Sequence, residues 1–177
     1  MLFTATGIKD LWLIEPKVFE DARGYFYESF NDKSFKENTG LATSFVQDNQ
    51  SKSTKGVLRG MHFQTGEHAQ AKLVRVLEGE VQDIVVDLRL DSPSYGEHFS
   101  VNLSAENRKQ LFVPRGFAHG FLVLSESAVF SYKVDNYYNK ESEGGIIFNC
   151  PKLNLPWQME ESFILVSDKD KLLPGFK

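Results

Sequence analysis

The chain has 177 residues, with 20 Lys and Arg against 24 Asp and Glu, which gives a net charge of −4. This length predicts a single domain over residues 1–177, and the acidic balance disfavours nucleic acid and anionic membranes as partners. One cysteine, Cys150, excludes an internal disulfide and a structural zinc site of the usual kind. Because Lys9, Asp10 and Glu15 interrupt the apolar run that a signal peptide needs, we expect a cytoplasmic protein.

Most of the predicted elements are short β-strands. One helix is predicted over 31–40, with Asn31 or Asp32 at its start and Gly40 at its end, and a second helical turn is predicted to begin at Ser104. The strands Leu73–Leu77 and Val81–Leu90 are predicted to form a hairpin around Gly79. Further strands are predicted over 98–105, 110–114, 119–125, 127–138 and 144–149. Many short strands with little helix are typical of an all-β jelly-roll barrel.

Strand alternation predicts which polar side chains point into this barrel. Tyr132 shares a face with the apolar Phe130, His62 shares one with Gln64, and His119 points inward from another strand. Taken singly, an inward His or Tyr is more often a hydrogen-bonded or packed core residue than a functional one. The barrel therefore has either a satisfied polar core or a ligand cavity.

An inward lysine favours the cavity. Lys72 shares the predicted interior, and a lysine is rarely buried without a partner because desolvating its charge is costly. Arg59 lies three residues before His62, which is the wrong spacing for one face of a regular strand. Gly60 between them is a candidate site for a β-bulge that would turn both side chains to the same side.

The predicted architecture resembles the cupins, double-stranded β-helix barrels with two metal-binding motifs. In the first motif, "HFQ" places His62 and Gln64 where a histidine pair is expected, and counting back from Gly79 over six residues places Lys72 at the glutamate position. The second motif is intact in "PRGFAH", which ends at His119. An ammonium has no lone pair for a metal, and an amide is a weak ligand, so we expect no metal here.

A histidine, a lysine and a tyrosine in a dry cavity suit proton abstraction next to a carbonyl. His62 would act as the base, Lys72 would stabilise the enolate oxygen, and Tyr132 would return a proton as the acid. A cation about 4 Å from that oxygen is worth about 4 kcal/mol at an effective dielectric of about 20, or roughly three decades of rate. Asp170 is a candidate partner for the imidazolium, although its spacing does not place it beside His62.

These residues lie in a series of motifs that resembles the dTDP-4-dehydrorhamnose 3,5-epimerases, metal-free cupin enzymes of dTDP-L-rhamnose synthesis. The similarity covers nearly the whole chain. The matching segments are "EPKVFEDARGYFYESF", "FVQDNQSKS", "GVLRGMHFQ", "GEHAQAKLVR", "NLSAENRKQLFVPRGFAHGF", "YKVDNYY", "SEGGI" and "SDKD".

The resemblance implies that the chain is an isomerase that inverts C3 and C5 of dTDP-4-keto-6-deoxy-D-glucose to give dTDP-4-keto-L-rhamnose. It implies catalytic roles for His62 as base, Asp170 as its orienting partner, Tyr132 as acid and Lys72 beside the enolate. Substrate contacts are implied for Arg23, Glu28, Gln47, Asp48, Asn49, Arg59, His119, Tyr138, Glu143 and Lys169, with Tyr138 stacking on thymine. It further implies that no cofactor is needed, and that Arg23 and Glu28 reach the neighbouring site in a homodimer.

Three alternatives remain open from the sequence. A related enzyme would epimerise only C3 or only C5, or would act as a ketoisomerase on a similar dTDP-sugar. A sugar-nucleotide-binding cupin would use the same pocket without catalysis. A metal-dependent cupin dioxygenase would need a metal, against which Gln64 and Lys72 argue.

Overall fold

The computed structural model describes residues 1–177 and consists mainly of β-strands. The strands are β1 (Leu2–Ala5), β2 (Trp12–Glu15), β3 (Val18–Asp21), β4 (Gly24–Tyr27), β5 (Gln47–Thr54), β6 (Val57–Gln64), β7 (Lys72–Glu78), β8 (Glu80–Asp87), β9 (His98–Ser104), β10 (Gln110–Val113), β11 (Phe117–Val123), β12 (Ser127–Val134), β13 (Glu143–Gly145) and β14 (Leu165–Val166). The α-helices are α1 (Asp32–Thr39) and α2 (Asp168–Lys171), and both are far too short to cross a bilayer. Single 3₁₀ turns occupy Gly66–His68, Lys140–Ser142 and Glu161–Phe163.

The strands form two six-stranded sheets and one separate hairpin. The first sheet has the order β1-β2-β10-β7-β12-β5. The second has the order β13-β6-β11-β8-β9, and β14 pairs in parallel with the other end of β6. Strands β3 and β4 pair only with each other. The predicted fold class, an all-β jelly-roll barrel of the cupin type with a few short helices, is confirmed.

The main core combines apolar side chains from both sheets. A cluster of 14 buried residues includes Val74 of β7 and Phe130 of β12 from the first sheet, together with Val81 and Val85 of β8 from the second. Alternate positions on each of these strands point inward, as the period of two requires. Interior positions that carry polar side chains therefore stand out against an apolar lining.

The predicted hairpin between Leu73–Leu77 and Val81–Leu90 is wrong. Strands β7 and β8 follow one another in the chain but lie in different sheets, because β7 pairs with β10 and β12 whereas β8 pairs with β9 and β11. Gly79, with a φ of 77°, carries the chain from one sheet to the other. Strand β8 also ends at Asp87, whose carboxylate accepts hydrogen bonds from the backbone and side chain of Arg89.

The other element predictions have mixed outcomes. Helix α1 is confirmed, with the Asn31 side chain accepting from the backbone N–H of Ser34 and with Gly40 in the left-handed conformation at the end. The turn at Ser104 closes one hydrogen bond, from the Arg108 N–H to the Ser104 carbonyl, but does not continue as a helix. The strand predicted over 127–138 ends at Val134, and the one predicted over 144–149 is replaced by the shorter β13.

The predicted bulge at Gly60 is confirmed. His62 stands opposite His119 and Arg59 stands opposite Phe121, so three steps along β6 match two steps along β11. Gly60 has a φ of 139°, and a Cβ there would lie 2.5 Å from the Cα of Gly120. The extra residue on β6 turns Arg59 and His62 toward the same cleft.

Candidate active site

The polar interior residues line an open cleft of about 540 Å³. A second lobe of about 310 Å³ shares four of these residues and extends toward β13. Predicted site residues in the first lobe are Asn49, Arg59, His62, Lys72, His119, Tyr132, Lys169 and Asp170. The second lobe shares Asn49, His62, Lys72 and Tyr132 and adds Gln47, Tyr138 and Glu143. The structure therefore brings eleven of the fourteen predicted residues together.

His62 and Asp170 form a hydrogen-bonded pair across 108 residues of sequence. The distance from His62 Nε2 to Asp170 Oδ1 is 2.6 Å. Asp170 is held in place because α2 follows β14, which pairs with β6, and because the Ser167 hydroxyl accepts the backbone N–H of Asp170 at 3.1 Å. A carboxylate only accepts, so Nε2 carries the hydrogen and Nδ1 is left as the basic nitrogen.

Lys72 presents an unpaired ammonium to the cleft. Its Nζ makes no ion pair within 4.0 Å and no hydrogen bond to another residue. Burial lowers the pKa of Lys72 to about 8, while the negative charges of Asp83 and Glu143 act in the opposite direction. The side chain is therefore mainly cationic at pH 7 and has its charge available for a ligand.

Tyr132 faces the cleft from β12, in the opposite sheet to His62. Burial raises the pKa of Tyr132, and the positive charge of Arg59 only partly offsets this effect. The phenol therefore keeps its proton at neutral pH and is suited to donate it.

His119 has a carboxylate partner that the sequence interpretation missed. Its Nε2 lies 2.8 Å from Asp83 Oδ2, and Asp83 has no exposed surface. Asp83 shares the inward face of β8 with the core residues Val81 and Val85. An aspartate in the middle of the otherwise buried strand "EVQDIVVD" was the signal that could have identified it.

Glu143 connects Tyr138 and Lys169 at the outer end of the second lobe. Its two carboxylate oxygens accept from the Tyr138 hydroxyl at 2.8 Å and from Lys169 Nζ at 2.6 Å. Burial opposes ionisation of Glu143, but these two hydrogen bonds hold its pKa below the usual value. Tyr138 is more than half exposed and is therefore accessible to a ligand.

Three predicted residues do not line the cleft of their own chain. Arg23 lies in the turn between β3 and β4, where its exposed guanidinium pairs with Asp21. Glu28 precedes α1 and accepts from the Asn31 side chain at 3.0 Å. Asp48 points to the opposite side of strand β5 from Gln47 and Asn49 and pairs with Lys133 at 2.9 Å.

Two of the cupin ligand positions, Gln64 and Lys72, hold groups that are poor metal ligands. No three His, Cys, Asp or Glu side chains converge as a metal-binding group. The Gln64 side-chain oxygen accepts the backbone N–H of Asn139 at 3.0 Å, and Lys72 places a positive charge in the cleft that His62 and His119 also line. A basic nitrogen, a cation and a protonated phenol around one cleft can move a proton next to a carbonyl group.

Comparisons with known proteins agree with this geometry. A family model described as dTDP-4-dehydrorhamnose 3,5-epimerase matches residues 5–177. A dTDP-4-dehydrorhamnose 3,5-epimerase of Shigella flexneri is 54% identical over 165 residues, which cover 93% of this chain and 90% of the relative.

Solved structures give the same result. The crystal structure of dTDP-4-dehydrorhamnose 3,5-epimerase from Elizabethkingia anophelis superimposes with a TM-score of 0.97 at 58% identity, covering 99% of this chain and 96% of that one. A dTDP-6-deoxy-D-glucose-3,5-epimerase from Legionella pneumophila, in complex with dTDP-4-keto-L-rhamnose, gives a TM-score of 0.91 at 46% identity, with 99% and 98% of the two chains covered. The chain belongs to the dTDP-4-dehydrorhamnose 3,5-epimerase family.

Proposed function

We propose that residues 1–177 form one catalytic domain that inverts C3 and C5 of dTDP-4-keto-6-deoxy-D-glucose and releases dTDP-4-keto-L-rhamnose. The observation that carries this proposal is the convergence of the His62–Asp170 pair, the free ammonium of Lys72 and the protonated Tyr132 on one cleft. The named activity of relatives at 54% identity supports the same substrate and reaction.

In the proposed mechanism, His62 Nδ1 removes the proton from the carbon next to the C4 carbonyl. The electron pair of the broken C–H bond moves to the C4 oxygen, where Lys72 stabilises the enolate. Tyr132 then gives its proton to the same carbon from the other side, and solvent restores the protonation states of both residues. Because β6 and β12 belong to different sheets, base and acid approach from two sides, as inversion requires.

We propose that the nucleotide occupies the outer part of the two lobes. Arg59, fixed by its bond from Nε to Ser53 Oγ at 3.0 Å, and Lys169 supply positive charge for the pyrophosphate. The exposed ring of Tyr138 supplies the surface on which thymine stacks. Gln47, Asn49 and Glu143 supply neutral and acidic hydrogen-bonding groups along the second lobe.

Turnover of dTDP-4-keto-6-deoxy-D-glucose in D₂O tests this function. The proposal predicts deuterium at both C3 and C5 of the product, because each inversion replaces a carbon-bound proton by one from solvent. Deuterium at only one carbon would favour the C3- or C5-only epimerase, and a product with a shifted carbonyl would favour the ketoisomerase. Binding without exchange at either carbon would support a non-catalytic cupin.

We also propose a homodimer in which Arg23 and Glu28 complete the neighbour's cleft. The hairpin of β3 and β4 pairs with no other strand and exposes Phe19, Tyr25 and Phe26 around Arg23. An apolar rim of this kind suits contact with a second copy. The guanidinium of Arg23 has no partner other than Asp21, two residues away, so it is free to meet an anionic ligand in the other subunit.

Mixed subunits test the shared site. Arg23→Ala and His62→Asn each abolish most activity in their own homodimers, but a heterodimer of the two has one site with both changes and one site with neither. We expect unfolding, mixing and refolding of equal amounts to restore about a quarter of wild-type activity per chain, the statistical share for random pairing of the two chains. No recovery, with heterodimer present by mass spectrometry, would place Arg23 in its own chain's site.

A further inference from the structure

Asp83 is a buried carboxylate that is only half satisfied. Its Oδ2 accepts from His119, but its Oδ1 is buried and has no hydrogen-bond partner. Strand β8, which carries it, lies in the middle of the second sheet between β9 and β11. Burying a carboxylate with so few hydrogen bonds costs stability unless a positive charge lies nearby.

His119 connects this carboxylate to the cleft, because the ring that Asp83 holds lines the same cleft as Lys72, which comes from β7 of the opposite sheet. Among the charges that act on the Lys72 ammonium, Asp83 is the stronger of two that favour its protonated form, and Glu143 is the other. The apolar neighbours Val81 and Val85 exclude water around Asp83, so its charge is weakly screened. Asp83 itself does not line the cleft and cannot touch a ligand there.

Resting on the function proposed above, we infer that Asp83 is a positioning residue for the reaction: it keeps Lys72 cationic beside the enolate oxygen and holds the His119 ring in one orientation. Burial alone would favour the neutral amine, which has no charge to offer the enolate. The carboxylate lies beneath the floor of the cleft, where it sustains that charge without competing for the ligand. Lys72 therefore remains both protonated and free of an ion pair.

Other charged and titratable groups also face Lys72, and they limit how much of the Lys72 pKa depends on Asp83. They are Arg59 and His62 on β6, His119 on β11, Tyr132 on β12, Glu143 on β13, and Lys169 and Asp170 on α2. Asp170 is hydrogen-bonded to His62 and Glu143 to Lys169, so each of these carboxylates has its own partner. Asp83 is the carboxylate of the group that has a fully buried oxygen without a hydrogen-bond partner.

The substitution Asp83→Asn separates the charge from the hydrogen bond. The Asn side-chain oxygen still accepts from His119 Nε2, so a purely structural role survives the change, whereas the negative charge is lost. Removing a negative charge lowers the pKa of Lys72, so the amine becomes neutral at a lower pH. We expect a fall of about one pH unit, the effect of a unit charge at about 10 Å and an effective dielectric of about 20.

The readout is the rate at which Lys72 is reductively methylated in the substrate-free protein, followed by mass spectrometry from pH 6 to pH 10. In the wild type this rate rises to half its maximum near the Lys72 pKa of about 8. In Asp83→Asn the midpoint falls by about one pH unit, which makes labelling at pH 7 about fivefold faster. The alkaline limb of kcat/KM moves down in pH by the same amount.

Asp87→Asn is the matched control, because it removes another fully buried carboxylate from the same strand, one held by Arg89, Ser92 and Ser94. Asp87→Asn should leave the labelling midpoint of Lys72 unchanged.

A second variant is available if the melting temperature shows that Asp83→Asn is misfolded. Asp83→Ser leaves room for a water molecule and has the same expected shift of the labelling midpoint. A midpoint that stays at its wild-type value in a folded Asp83 variant overturns the inference. Since labelling needs no substrate, failure of the proposed epimerase activity would be seen separately.

Discussion

Two histidine–aspartate pairs stand side by side in this barrel, and they differ mainly in their access to water. His62 and His119 are direct neighbours on β6 and β11. The side chain of His62 is 32% exposed and that of His119 is 8% exposed, and their respective partners Asp170 and Asp83 are 5% and 0% exposed.

The difference follows from where each carboxylate comes from. Asp170 lies on the short C-terminal helix α2 at the rim, whereas Asp83 lies on a central strand of the second sheet. A rim position leaves one imidazole nitrogen of His62 accessible to a ligand and to solvent. The interior position makes His119 a fixed wall of the cleft. The same two chemical groups can thus provide a base in one place and a support in the other.

The largest predicted effect comes from removing the accessible histidine. His62→Asn should lower kcat by about 10³- to 10⁴-fold, in the upper part of the range for general acid–base catalysis. His119→Asn should lower kcat/KM only about fivefold, because this ring is a wall of the cleft and one lost contact costs roughly 1 kcal/mol. Steady-state kinetics measure both, with melting temperatures as the control for folding. Equal losses in two folded variants would break the distinction between the pairs.

The smallest predicted effect separates two neighbouring residues on β5. Asp48→Asn should leave kcat/KM within about twofold of wild type, because its carboxylate faces away from the cleft and its exposed ion pair with Lys133 contributes little. Asn49→Ala should raise KM about fivefold, because its side chain faces the cleft and a lost hydrogen bond costs roughly 1 kcal/mol. A tenfold effect from Asp48→Asn would restore Asp48 to the binding site.

The sequence was sufficient for features that depend on local periodicity. The period of two placed Tyr132 inward with Phe130, and His62 on the same side as Gln64. The conflict in spacing between Arg59 and His62 correctly predicted the bulge at Gly60. These inferences need only the geometry of one strand, which neighbouring side chains do not alter.

Features that depend on which strands pair could not be predicted in this way. A tight turn at Gly79 is compatible with a hairpin and equally with a crossing between sheets, so the partners of β7 and β8 were assigned wrongly. The contact between His62 and Asp170 spans 108 residues and depends on the parallel pairing of β14 with β6. Asp83 was overlooked because its partner His119 lies on another strand.

Hydrogen exchange at the carbons next to the carbonyl tests the assignment of base and acid most directly. With dTDP-4-keto-6-deoxy-D-glucose in D₂O, Tyr132→Phe should incorporate deuterium into recovered substrate without forming product. Its His62 still removes the proton and, being partly exposed, exchanges it with solvent. His62→Asn should incorporate deuterium at neither carbon. Wild-type exchange rates in folded His62→Asn, or product formation by Tyr132→Phe at the wild-type rate, would contradict the account.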